Sequence, residues 1–396
     1  MEVPIADWLG LVVRWMHIVF GAAWIGTSFY FNWLNNHIRP IPDDEDRPQG
    51  VSGQLWSVHG GAFYRVQKYA VAPEKLPGIL HWFKYEAYFT WISGFALLVI
   101  VYYLQPSAHL IDSSVMTLHP HLAITIGVGS LVVGWLVYHL LCNSPLGRYP
   151  VLLAGLGFAL LTGAAFGYTE LFGARAAYIH MGALMGTMMA WNVFFVIIPN
   201  QKVVVKAMTE GKEPAPELGA AAAQRSLHNN YFTLPVLFIM VSNHYPMTFG
   251  YEWNWALLAG LSLVGAMVRH WFNLRGQGEK NVWLLPVAAA GMVGLALISA
   301  PEPPEEYEGA ATFAMVREIV GRRCVECHSA SPTSDLYPVA PQGVMFDEPR
   351  SIVDRATQIH YQVVVTEQMP LGNLSQITDE ERRIIGAWYR RGAAGP

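Results

Sequence analysis

The sequence predicts an all-α protein: a polytopic membrane helix bundle of about eight spans, followed by a small soluble helical domain. Hydrophobic residues make up 53% of the 396-residue chain and charged residues only 14%, whereas soluble domains run about 25% charged. Apolar stretches of the roughly 20 residues that a spanning helix needs recur up to residue 300. Charge density then jumps, and residues 310–396 hold nine arginines. The formal net charge of -4 carries no basic excess, which argues against nucleic acid as a partner.

In chain order, the first span is expected over about 8–34. The preceding MEVPIADWLG has no basic n-region and no small-residue cleavage site, so this run reads as a retained helix rather than a signal peptide. A long loop, 35–78, contains DDED (43–46) and is too polar to cross. Further spans are expected at about 79–104, 119–141, 150–170, 173–199, 228–249, 254–273 and 281–300. The proline-acid run PEPPEEYEG (301–309) reads as a linker, so the domains are 1–300, the linker 301–309, and 310–396.

Of three cysteines, Cys142 stands alone, and Cys324-Val-Glu-Cys327-His328 forms a C-x-x-C-H motif. Thiols at this spacing can form thioethers with the two vinyl groups of a haem, and the adjacent His328 is then the proximal iron ligand. A helix, ATFAMVREIVGRR, leads into the motif. Met369-Pro370 follows about 40 residues later, and an amphipathic helix, TDEERRIIGAWYRRG, closes the chain. This is the layout of a small class I cytochrome c, with one covalent haem c and Met369 as distal ligand. Met345, in the loop GVMFDEPRS, is the rival. A thioredoxin-like CxxC is the alternative use of the two thiols.

Haem attachment to CxxCH takes place outside the cytoplasm, so eight spans put both termini outside. Loop charges test this independently. The loops assigned inside carry Arg39, Arg47, Arg65, Lys68, Lys75, Arg148, Lys202, Lys206, Lys212, Arg225, Arg275 and Lys280, and those assigned outside carry only Arg175. The two arguments agree.

Ionisable groups inside spans are costly and mark function by default. His17, His180, His121 and His244 fall in the outer half. His17 and His180 each precede small residues, a Trp and an aromatic run, which hints at a duplication of helices one and five. Read functionally, His17 and His180 hold a second, non-covalent haem b or a metal, with His121 and His244 in reserve. The plainer reading is helix–helix hydrogen bonding, and both stay open. The stretch containing Arg14, His17, Trp24 and Gly26 also looks like the first helix of CopD-like and HemJ-like membrane haem proteins. Toward the inner face, Glu86, Arg269 and His139 are the candidate catalytic groups. Arg269 offers a flat fork of donors to a planar anion, or else snorkels to the headgroups. Glu86, about 10 Å inside its expected span, is a proton acceptor or the counter-ion of Arg269.

The stretch WLGLVVRWMHIVFGAAWIGTSFYFNWLNN, the long acidic first loop, the linker and the CVECH domain together resemble the bacterial membrane-bound urate oxidases. These are PuuD-type urate hydroxylases with a fused C-terminal cytochrome c, and the resemblance spans essentially the whole chain. It implies oxidation of urate to 5-hydroxyisourate in purine catabolism, at the bacterial inner membrane with the cytochrome domain periplasmic. Water supplies the oxygen, and electrons leave through haem c to a periplasmic cytochrome c or terminal oxidase rather than to hydrogen peroxide. It transfers no urate-binding residue. The alternative is a quinol-linked electron-transfer protein without purine chemistry. A terminal oxidase would need paired histidines that the sequence lacks, and a mere anchor would not carry polar residues in its spans.

If Met369 is the distal ligand, Met369→Ala abolishes the Met–iron charge-transfer absorption while Met345→Ala keeps it. The near-infrared spectrum of the oxidised protein checks this.

Overall fold

The computed structural model describes residues 5–42, 49–73, 76, 78–300 and 307–396. The DDED run, Arg47, Lys75 and linker residues 301–306 lie outside the described residues. The chain is 67% helix and 5% strand. Helix α1 (Ile5–His37) is followed by a hairpin of β1 (Val51–His59) and β2 (Ala62–Tyr69). Helices α2 (Tyr85–Leu98), α3 (Pro106–His109), α4 (Pro120–Asn143), α5 (Pro150–Thr169), α6 (Ala174–Asn192) and α7 (Ile198–Thr209) come next. Then follow α8 (Pro216–Ser242), α9 (Pro246–Phe249), α10 (Asn254–Gly276) and α11 (Leu284–Ile298). The C-terminal domain contributes α12 (Phe313–Arg323), α13 (Pro349–Asp354), α14 (Ala356–His360) and α15 (Asp379–Arg390).

A long helix stands at each of the expected spans. Among the described residues, six stretches are long and apolar enough to cross a membrane: Trp8–His37, Tyr85–Tyr103, Pro120–Asn143, Pro150–Thr169, Ala174–Thr209 and Asn254–Gly276. Helix α11 is shorter, at 15 residues. Helix α8 begins at Pro216, a dozen residues earlier than expected, and so takes in the polar run Gln224–Asn230. A π-helical turn, Val193–Ile197, joins α6 to α7 without a break. Proline opens α3, α4, α5 and α8, where its missing N–H costs nothing and its fixed φ suits the first turn.

Two expectations need correction. The polar first loop is not irregular throughout: β1 and β2 pair antiparallel, and Arg39 bridges to Gln54 at the end of α1. Arg65 Nε donates to the buried Gln54 side chain (2.6 Å), so the hairpin is pinned by polar contacts. The second span starts at Tyr85 rather than 79, because residues 79–84 form no helix. Glu86 therefore lies in the first turn of α2, at the span's end, where the helix dipole favours a carboxylate.

Helix α6 is the hub. Of its most apolar window 61% is buried, against 28% or less in the other five spans. Lipid tails are as apolar as leucine, so close backbone approach rather than hydrophobic burial holds such helices together. A Cβ at Gly134 would lie 2.4 Å from Leu184, and one at Gly182 only 2.7 Å from Ile239. These glycines set the α4–α6 and α6–α8 spacings.

The C-terminal domain has its own core of Val316, Ile319, Val320, Phe346, Ile359, Ile385 and Trp388. Thr378 and Glu381 form a capping box at α15. The Glu381 carboxylate also accepts from Arg323 Nε (3.0 Å) and Arg322 Nη2 (3.2 Å) of α12. Burial pushes this carboxyl up, but the Thr378 amide, Arg323 and Arg322 outweigh it and hold it below the usual range.

Its ionised form therefore stabilises the domain above the unfolded value of about 4.3, and that stabilisation is lost as pH falls through the folded value. Glu381→Gln is expected to destabilise the domain by about 3 kcal/mol at neutral pH. The gap from wild type should shrink below about pH 4. Thermal unfolding followed over a pH series checks both statements, and a gap that widened in acid would refute them.

Candidate functional site

In the C-terminal domain, Cys324 caps α12 at the head of the CxxCH loop. His328 Nδ1–H donates to Val344 O (3.0 Å), which orients the ring and leaves Nε2 free for a metal. Cys324 and Met369 pack against the same apolar core, and the Phe346 ring lies 5.5 Å from that of His328. The Met369 amide donates to Gln362 O, and its carbonyl accepts from Arg382 Nη1, both at 3.0 Å. Met345 is 42% exposed and stands away from this core. Two thiols, an oriented imidazole and a thioether beside one apolar cluster fit a covalent haem. Burial pushes the Cys324 thiol up to about 12, with the charge fields of Cys327 and Glu381 adding to it. A thiol–disulfide exchange centre needs the opposite shift. Among the described residues no group of three or more His, Cys, Asp or Glu is gathered to hold a bare metal ion.

The outer-half histidines do not fit an axial pair. His180 is fully buried, and its Nδ1–H donates to Ala176 O (2.8 Å). Its Nε2 accepts from the Tyr103 hydroxyl (3.0 Å), and Tyr102, Tyr168 and Phe172 surround the ring. A Cβ on Gly127 would reach His180 Nε2 at 2.9 Å, so the near side is closed as well. His17 instead ties α1 to α2, with Nδ1 3.0 Å from Thr90 O and 3.2 Å from Ser93 Oγ. His121 and His244 are exposed. His180, with both ring nitrogens engaged, offers no axial position to a haem b in this packing, whereas the half-buried His17 engages only Nδ1.

Among the described residues no hydrogen bond or ion pair joins Glu86, Arg269 and His139 to one another. Arg269 does not snorkel: it is 8% exposed, lies 4.1 Å over the Phe29 ring and donates to Asn230 Oδ1 (2.7 Å). Asn273 shares that acceptor and itself accepts from Asn32. His139 stacks on Trp135 and receives a hydrogen bond from Asn143. Glu86 keeps a buried oxygen without a partner, and among the described residues no ion pair joins it to Arg269. Sequence reasoning also missed Arg225. Counted as a loop cation, it sits within α8 at 1% exposure, over the Tyr138 ring, with Nε and Nη1 unpartnered. The early start of α8 hid it.

The C-terminal domain docks on the face of the bundle built by α3, α9 and the start of α6 and α10. At Gly372 (φ +56) a Cβ would lie 3.1 Å from the carbonyls of both Ser107 and Ile111. This is the face that charge counting assigns to the outside. Between the two bodies lies a cavity of about 330 Å³, with His109, Arg175, Phe249, Asn254 and Trp255 on the bundle side and Gln368 and Arg382 opposite.

Fold and sites together define a bundle of apolar helices with a small helical domain carrying the CxxCH motif seated on one end. Residues 3–300 match the family described as urate oxidase N-terminal, and the chain belongs to that family. The match stops where the linker begins, so the CxxCH domain lies outside it. No curated protein and no solved structure matches the chain.

A Cβ at Gly250 would meet Thr366 O of the docked domain at 3.3 Å and Pro246 O at 3.1 Å. Gly250→Val is therefore expected to weaken docking by about 2 kcal/mol. Hydrogen exchange over residues 366–373 should speed up relative to wild type, while exchange in α6 stays unchanged.

Proposed function

We propose that the chain oxidises urate to 5-hydroxyisourate at the membrane, with electrons drawn off through its C-terminal domain. The reaction balances as urate plus water giving 5-hydroxyisourate, two protons and two electrons. Water is the oxygen source, and hydrogen peroxide is not a product. The observation that carries this reading is the juxtaposition of two things: a bundle belonging to the urate oxidase family and a CxxCH domain seated directly on it.

The residues that would hold haem c are Cys324 and Cys327 through thioethers, with His328 and Met369 on the iron. Bound there, the haem supplies a one-electron carrier whose potential a methionine ligand raises. The chain's own residues do the rest. The Val344 carbonyl holds the Nδ1 side of His328, leaving Nε2 as the nitrogen that would take the iron. Arg382 ties the Met369 loop to the buried Val363 segment of the domain core, because its Nη1 donates to both Val363 O and Met369 O. Exposed Glu170, Glu252 and Glu367 at the seam can pass the released protons to water. The domain's free surface would then meet a periplasmic cytochrome c or a terminal oxidase.

The test uses the purified full-length protein without oxygen. Urate is expected to reduce the haem c, with each urate delivering two electrons. Reduction by a quinol but not by urate would instead establish the quinol-linked alternative.

A further inference from the structure

We propose that the cavity between the bundle and the docked C-terminal domain is the urate-binding site, with Arg175 and Asn254 as its recognising groups. This assignment rests on the urate reading and adds the location and the residues.

Arg175 is the lone basic residue in the loops assigned to the outer face. It sits in the first turn of α6, where a cation opposes the helix dipole. Its guanidinium lies 5.8 Å over the Phe249 ring, its Nε is buried without a hydrogen-bond partner, and among the described residues no carboxylate pairs with it. Asn254 is nine-tenths buried. Its Nδ2 donates to Phe249 O (2.8 Å), which fixes the amide's orientation and leaves Oδ1 buried with no donor. Buried polar groups are rarely left unpaired. Both residues, each with one buried polar atom left unpaired, line the same cavity.

The pair is complementary to a planar anionic N-heterocycle. A guanidinium fork takes an oxygen-bearing anionic edge, and an amide oxygen takes a ring N–H. At about 330 Å³ the cavity lies within the range of small-ligand sites. Carboxylates in the wall do not cancel Arg175. Glu170, Glu252 and Glu367 are exposed, and Asp112 accepts from Ser114 (2.5 Å). Asp112 and Glu367 also lie in the field of Arg382.

Position decides between this cavity and the inner clusters. Gln368 lines the cavity next to Met369, and Arg382, also in the wall, holds the Met369 carbonyl. A ligand here lies against the loop that supplies the distal haem ligand. The inner cluster around Asn192 and Arg225 is 17 residues further down α6 by the Arg175–Asn192 separation, about 25 Å at 1.5 Å per residue. An electron from there would have to cross most of the bundle.

The experiment is urate titration of anaerobic haem c reduction in full-length protein. Arg175→Gln should raise the KM for urate roughly tenfold or more, and Arg175→Lys, which keeps the charge and loses the fork, should fall between. Reduction of haem c by ascorbate should stay at the wild-type rate in both. Ala174→Phe, which fills the cavity from the bundle side, should block urate and spare ascorbate, and it decides the matter if the arginine variants fail to fold. A KM within about twofold of wild type in Arg175→Gln or Ala174→Phe overturns the assignment. So does loss of urate reduction in Arg225→Gln with both cavity variants active. If wild-type protein itself is not reduced by urate, the functional reading fails instead of the site.

Discussion

At residue 372 two backbones meet with no room for a side chain. The Gly372 turn of the C-terminal domain presses on the carbonyls of the α3 turn, and Gly250 approaches Thr366 in the same seam. The relation of the two parts of the chain depends on that seat. It forms the cavity and sets the CxxCH domain, with its Gln368–Met369 loop, against the bundle. Two separate cores, one within the bundle and one within the C-terminal domain, make the parts. The seam makes them one machine.

The bundle meets the cost of polar groups in an apolar medium in three ways. Where a polar side chain has a structural duty, it is satisfied by nearby backbone or a neighbouring helix, as His17 is by Thr90 and His180 by Ala176 and Tyr103. Arg269 is tempered by amides and an aromatic face. Arg225 and Arg175 keep unpartnered nitrogen atoms, a state that a low-dielectric interior tolerates only where something compensates for it. Of the two, Arg175 lines the cavity beside the C-terminal domain, and Arg225 is buried against α4.

Much of the fold was legible because the signals are local. Apolar run length marked every long helix, and prolines marked several of their starts. The CxxCH spacing is readable as a motif without reference to tertiary structure. The first loop was not legible: a hairpin held by Arg65 and Gln54 depends on pairing across the loop rather than on a hydrophobic period. Glu86 was placed too deep because hydropathy does not show that residues 79–84 stay out of the helix. Arg225 was placed in a loop because a polar first third disguised α8. Arg175 left one trace, as the exception to a charge count of twelve against one.

The sequence by itself determined which segments are apolar helices, where the charged domain begins, and which residues are chemically able to hold a covalent haem. These follow from composition and spacing along the chain, which folding does not change. Only the tertiary structure decided which polar residues meet. It gave Arg269 and His139 different hydrogen-bond partners, enclosed His180 among aromatic rings, and set Arg175 and Asn254 on one cavity wall. The reason is that an unmet hydrogen bond belongs to a place in space: whether Arg175 Nε or Asn254 Oδ1 has a partner depends on helices far apart in the chain.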